Sequence, residues 1–249
     1  MGGSGDLMNK TKVWARRGAS AYAPENTLEA FRQAVEMNAD GIELDVQMTK
    51  DGVLAVIHDE TLERLGGVKG WVKDFTYNEL RHININKKFP AYGVQYIPTL
   101  EEVYALIAPT ELTVNVELKT GVVFYPDIEK KVLQLTRDMG MQERVIYSSF
   151  NHYSMQAVRR LEPYAKTGIL YQDGWIGVVD YAADLVQADA LHPALYNVQY
   201  PGFFEDCRRR QKKVHVWTVN EESYMHMLCE YGADAIITND PKLARKVCG

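Results

Sequence analysis

In the segment Gly41-Ile-Glu-Leu-Asp-Val46, two carboxylates, Glu43 and Asp45, stand two residues apart among the apolar Ile42, Leu44 and Val46. Period-two alternation puts both acids on one face of a strand and the apolar residues on the other. If the apolar face meets helices, the acids point into the interior. Two like charges about 7 Å apart are costly to bury unless a cation compensates, and carboxylate oxygens suit a hard divalent metal. Val116-Glu-Leu-Lys119 repeats the device: Glu117 completes a three-carboxylate site, and Lys119 offers positive charge to a phosphate beside the metal. The turn Thr49-Lys-Asp-Gly-Val53 holds Asp51-Gly52, a pair that favours a two-residue hairpin loop. Pairing Lys50 with Val53 and counting back sets His58 opposite Asp45, at about 5 Å. Taken singly, the acids fit structural salt bridges as well as a metal site, and a lone histidine is more often a packing residue. The convergence of Glu43, Asp45, Glu117 and His58 favours the metal. The other histidines, His82, His152, His192, His215 and His226, lack such support, although His192 ends a strand and could line a pocket.

Short apolar or β-branched runs alternate with stretches of helical period along the whole chain from Lys12, the pattern of a parallel sheet covered by helices. Strands are expected at 13–15, 41–47, 112–118, 144–149, 167–171, 188–192, 214–219 and 235–238. A helix is expected at 27–37, and others begin near Thr99, Asp127, His152, Asp180, Gly202, Glu221 and Asp240. Eight such units predict an α/β fold closed as a (β/α)₈ TIM barrel, with its chemistry on the loops at the C-terminal ends of the strands. Residues 60–98, with Gly66, Gly67, Gly70, Pro90 and Gly93, interrupt the alternation after the second strand and read as a small insertion capping the pocket. Residues 1–7 read as an expression scar, leaving 8–249 as one domain. Gly18 stands alone after the first strand, so no dinucleotide site is expected.

The 249 residues are 46% hydrophobic, enough for a full core, and carry a net charge of −5. That charge excludes a basic stripe for nucleic acid. No apolar run reaches the length of a membrane span. Cys207, Cys229 and Cys248 show no metal-binding or redox spacing and read as reduced thiols of a cytoplasmic protein. Ser148-Ser149 lacks a nucleophile elbow, and no cysteine is paired with a histidine in any arguable geometry, so a covalent Ser or Cys mechanism is set aside.

The ordered set Arg17-Gly-Ala-Ser20, Pro24-Glu-Asn-Thr27, Gly41-Ile-Glu-Leu-Asp45, Thr49-Lys-Asp-Gly52, His58-Asp59, Val116-Glu-Leu-Lys119, His215-Val-Trp-Thr218 and Ile236-Ile-Thr-Asn-Asp-Pro241 resembles the glycerophosphodiester phosphodiesterase family. The resemblance spans nearly all of the chain. It implies that Glu43, Asp45 and Glu117 hold Mg²⁺ or Ca²⁺, that Arg17 and Lys119 engage the phosphate, that His58 is an acid or base, and that Trp217 walls the pocket where the alcohol group lies. The implied reaction releases glycerol 3-phosphate and an alcohol from a small phosphodiester.

Two departures fall on the expected active-site face. The family opens His-Arg-Gly, whereas this chain reads Arg16-Arg17-Gly18, so the first catalytic histidine is replaced by Arg16. A guanidinium does not titrate near neutrality and cannot be a general acid or base there. Native activity is therefore expected to be reduced. Arg16 could also bind Glu43 or Glu117 and displace the metal. Leu65-Gly66-Gly67-Val68 stands where the family is polar, and Trp175 is a further unusual aromatic. With the framework motifs intact, the pattern is that of an altered or redesigned active site. The alternative function is a noncatalytic or repurposed barrel whose pocket, changed at Arg16 and Leu65–Val68, binds an anion or small molecule or supports a new reaction.

Overall fold

The computed structural model describes residues 10–249, so the expected scar at residues 1–7 lies outside it. Nine strands form one sheet: β1 Lys12–Arg16, β2 Gly41–Met48, β3 Leu54–Val56, β4 Thr113–Leu118, β5 Val145–Ser149, β6 Lys166–Tyr171, β7 Ala190–Pro193, β8 Lys213–Trp217 and β9 Ala235–Thr238. Setting β3 aside, the other eight run parallel, and β1 pairs with both β2 and β9, which closes the ring. This is the expected (β/α)₈ barrel.

A helix follows each barrel strand: Leu28–Glu36, Leu100–Ile107, Ile128–Asp138, His152–Leu161, Val178–Asp180 running into Tyr181–Val186, Phe203–Arg209, Glu222–Tyr231 and Pro241–Cys248. Their starts follow local chemistry. Thr27, Thr99 and Asp240 each accept a backbone N–H with the side chain, and Glu102 returns the bond to Thr99 in a reciprocal cap. Along β2, Ile42, Leu44 and Val46 pack into the core between sheet and helices with Phe31, Val103 and Tyr104. The alternate residues, Glu43 and Asp45, are left inside the ring. No helix among the described residues is long and apolar enough to cross a membrane.

At the strand-start end, three aspartates repeat one arrangement. Asp40, Asp189 and Asp234 accept the backbone N–H of Val13, Thr167 and Val214 at 2.8, 2.9 and 2.9 Å. Each also pairs with the lysine preceding that residue, Lys12, Lys166 and Lys213. Each carboxylate thus pins one strand to a neighbouring one.

The hairpin differs from expectation by one residue. Val46 pairs with Val56 and Met48 with Leu54, so Asp45 faces Ile57 and not His58. The loop holds three residues, because Thr49 Oγ1 accepts the Val53 N–H at 3.0 Å and Gly52 takes the left-handed conformation at φ 82°. His58 reaches the site from just beyond β3.

Residues 60–98 build a cap with its own apolar cluster of Ala55, Ile57, Leu62, Leu65, Val72, Leu80, Ile85 and Ile97. Leu65 is buried there and Val68 packs against it. These two residues therefore serve the interior of the cap, which corrects their expected place in an altered pocket.

Candidate metal and phosphate site

Strand register brings the site together. Arg16 on β1 lies beside Glu43 on β2, and Asp45 lies beside Glu117 on β4. One oxygen from each of Glu43, Asp45 and Glu117 lies within 4.8 Å of the others, and all three residues are buried.

Each acid has a donor. The Arg17 backbone N–H donates to Glu43 Oε2 at 3.0 Å. Asn26 Nδ2 donates to Asp45 Oδ2 at 2.8 Å, with Arg17 Nε 3.3 Å from the same oxygen. Lys119 Nζ donates to Glu117 Oε1 at 3.1 Å. Arg17 reaches these partners because it leaves β1 at φ 54°, which turns its backbone N–H toward Glu43 and its side chain toward Asp45 and Glu25, the latter at 2.8 Å. Asn26, also left-handed at φ 57°, belongs to the Pro24-Glu-Asn-Thr27 motif, whose role sequence reasoning left unassigned.

The electrostatics are uneven. Burial, then the proximity of Asp45, raises the pKa of both Glu43 and Glu117. Burial opposes ionisation of Asp45 as well, but Arg17, His58, Lys119 and the Asn26 bond outweigh it and lower its pKa. Asp45 Oδ1 is buried without a hydrogen-bond partner among the described residues. An orphaned carboxylate oxygen beside two carboxyls that are hard to ionise unaided fits a hard divalent cation with oxygen ligands.

His58 is half-buried, with Nδ1 2.7 Å from Asp59 Oδ1. Its charge is felt at both Asp45 and Glu117. Asp59 is in turn bound by Arg64, which also grips Glu25. Sequence reasoning missed this chain from His58 to Arg17, since its members come from two separate segments, the loop after β1 and the residues that follow β3.

Arg16 is half-buried and close enough for its charge to favour ionised Glu43, yet it makes no ion pair with Glu43 or Glu117. The contact by which it would displace a metal is absent from the structure. Trp217 sits at the C-terminal end of β8, donating Nε1–H to the His192 carbonyl at 2.8 Å and meeting Phe150 edge-on at 5.6 Å. Trp175 packs in an aromatic cluster with Tyr171, Tyr181 and His152. His192 is fully buried, 2.8 Å from His215 Nδ1 and against Trp14 in the barrel interior, so it does not line the mouth.

The sequence profile of the Glycerophosphoryl diester phosphodiesterase family matches residues 17–243. A glycerophosphodiester phosphodiesterase of Caldanaerobacter subterraneus subsp. tengcongensis is 44% identical over 234 residues, covering 94% of this chain and 96% of that protein. One from Bacillus altitudinis is 38% identical, covering 95% and 98%. Among solved structures, the glycerophosphodiester phosphodiesterase of Thermotoga maritima superposes with a TM-score of 0.78 at 29% identity, covering 95% of this chain and 97% of that one. An Oleispira antarctica phosphodiesterase in complex with the product sn-glycerol-3-phosphate has a TM-score of 0.84 at 24% identity, covering 95% and 96%, a likeness of fold.

Proposed function

The chain belongs to the glycerophosphoryl diester phosphodiesterase family, whose activity is phosphoric diester hydrolysis, and from that premise we propose how its residues divide the reaction. Glu43, Asp45 and Glu117 would hold Mg²⁺ or Ca²⁺, which when bound would supply positive charge to polarise a phosphoryl group and activate a hydroxyl nucleophile. Lys119 and the outer N–H groups of Arg17 orient the phosphate, and Trp217 with Phe150 flanks the alcohol group. His58, oriented by Asp59, moves the proton at the ester oxygen on the exposed side. The products are glycerol 3-phosphate and an alcohol, and the three free cysteines support a cytoplasmic setting.

The carrying observation is the convergence of three buried carboxylates with Lys119, Arg17 and the His58–Asp59 pair. Arg16 stands where the family has its other proton-transfer group, so turnover is low. Its guanidinium, which makes no ion pair among the described residues and lies beside the acids, also favours a second reading of the same pocket, retention of an anion without turnover. Hydrolysis of glycerophosphocholine with Mg²⁺ or Ca²⁺ decides between them. Arg16→His should raise turnover by about 10²–10⁴-fold. If it leaves hydrolysis undetectable while Arg16→Ala abolishes phosphate binding, the anion-retaining reading replaces the hydrolytic one.

A further inference from the structure

Cys229 lies near the end of helix Glu222–Tyr231, and Cys248 ends helix Pro241–Cys248. Their sulfur atoms are 2.9 Å apart, well inside the roughly 3.5–4.0 Å at which smaller, unbonded carbon atoms rest. Both are free thiols and only partly buried, whereas Cys207 is buried. Two accessible sulfurs already in contact need little backbone movement to join.

We propose that Cys229 and Cys248 form a reversible dithiol–disulfide site whose oxidant is a low-molecular-weight disulfide, RSSR. The Cys229 thiolate attacks one sulfur of RSSR, whose S–S bond breaks, and RS⁻ leaves to take a proton from solvent. The Cys248 thiolate then attacks Cys229 Sγ and displaces the second RS⁻, which is protonated likewise. The protein gives up two protons and two electrons, and RSSR becomes two RSH. Burial and the adjoining Cys229 push the Cys248 thiol up to about 12, which disfavours Cys248 as the first nucleophile. Cys248 also feels Asp40, at the strand-start end of the barrel, so the bridge would lie opposite the carboxylates. Its effect is to tie the last two helices together, with no part in turnover.

The test treats the full chain with oxidised glutathione and reads intact mass and peptide linkage after alkylation under denaturing conditions. The expected product has lost two hydrogens, carries a Cys229–Cys248 link with Cys207 still alkylated, reverts with dithiothreitol, and melts roughly 6–12 °C higher. Cys248→Ser should instead stall as a glutathione adduct on Cys229. A wild-type protein that stalls at that same adduct, links Cys207, or stays fully reduced over a range of glutathione redox ratios would overturn the proposal. Since the wild-type product alone decides between these outcomes, a poorly folding variant leaves the test intact.

Discussion

Asp59 is held by His58 on one side and by Arg64 on the other. Burial disfavours its charge, but the His58 bond and Arg64 outweigh burial and hold its carboxyl well below the ordinary range. It is therefore a fixed anion that aims the imidazole, the arrangement by which a carboxylate sets a histidine's orientation and tautomer. In an Arg16→His background, His58→Gln should lower kcat by about 10²–10⁴-fold. Asp59→Asn should lower kcat by about 10–100-fold with KM little changed, because a second-sphere partner is removed while the phosphate contacts stay. Steady-state kinetics check both, and a rise in KM alone after Asp59→Asn would assign Asp59 to binding. The inward acids were legible because period-two spacing is a property of any strand. Arg17's bond to Glu43 was not, because it depends on a left-handed turn after β1 that no spacing encodes.

The hairpin shows the same limit one level up. Asp51-Gly52 announced a turn, but the loop length was decided by Thr49 Oγ1 capping Val53 N–H, and a one-residue change of register exchanges the faces of a strand. Gly52 sits at φ 82°, and an added Cβ would meet Lys131 Nζ at 2.5 Å. The side chain of Lys131 can swing aside, so the cost is mainly conformational. Gly52→Ala should destabilise the protein by about 1–2 kcal/mol, read from the urea midpoint at unchanged m-value. The cap is a second case. Its apolar residues are scattered among glycines and polar residues over 60–98, so no period marks Leu62, Leu65, Val72 and Leu80 as one cluster. Leu62 is fully buried within that cluster. Leu62→Ala should cost about 2–5 kcal/mol of local stability, seen as faster amide exchange in 60–98 ahead of the barrel strands.

Across the molecule, eight repeated strand–helix units made barrel closure legible, because each repeat buries its apolar face only against its neighbours. The interior pair His192–His215 was not, since its partners lie on different strands. Burial lowers both pKa values, that of His215 to about 3. The unfolded chain takes up these protons near pH 6.5, while the folded chain refuses them until far lower pH. Stability from this pair is thus present above about pH 6.5 and is lost as pH falls toward 3. Glu43 and Glu117, with raised pKa values, act in the opposite sense, gaining stability as pH falls toward their unfolded value. The histidine part is isolated by comparing wild type with His215→Asn between pH 6 and 5. The variant should lose about 1.4 kcal/mol less per pH unit. Equal slopes would mean that the folded barrel protonates the pair.

The double pairing of β1 fixes when the site can exist. Its second partner, β9, begins at Ala235, and at about 5–20 residues per second the ribosome needs roughly 10–45 s to pass from one to the other. Throughout that time β1 and the newest strand are open edges, each able to recruit a foreign strand. A barrel without edges when finished thus spends its making with two. Arg16 and Arg17, which stand at the end of β1 and just beyond it, are synthesised before every other strand of the barrel and are among the last to have their surroundings completed.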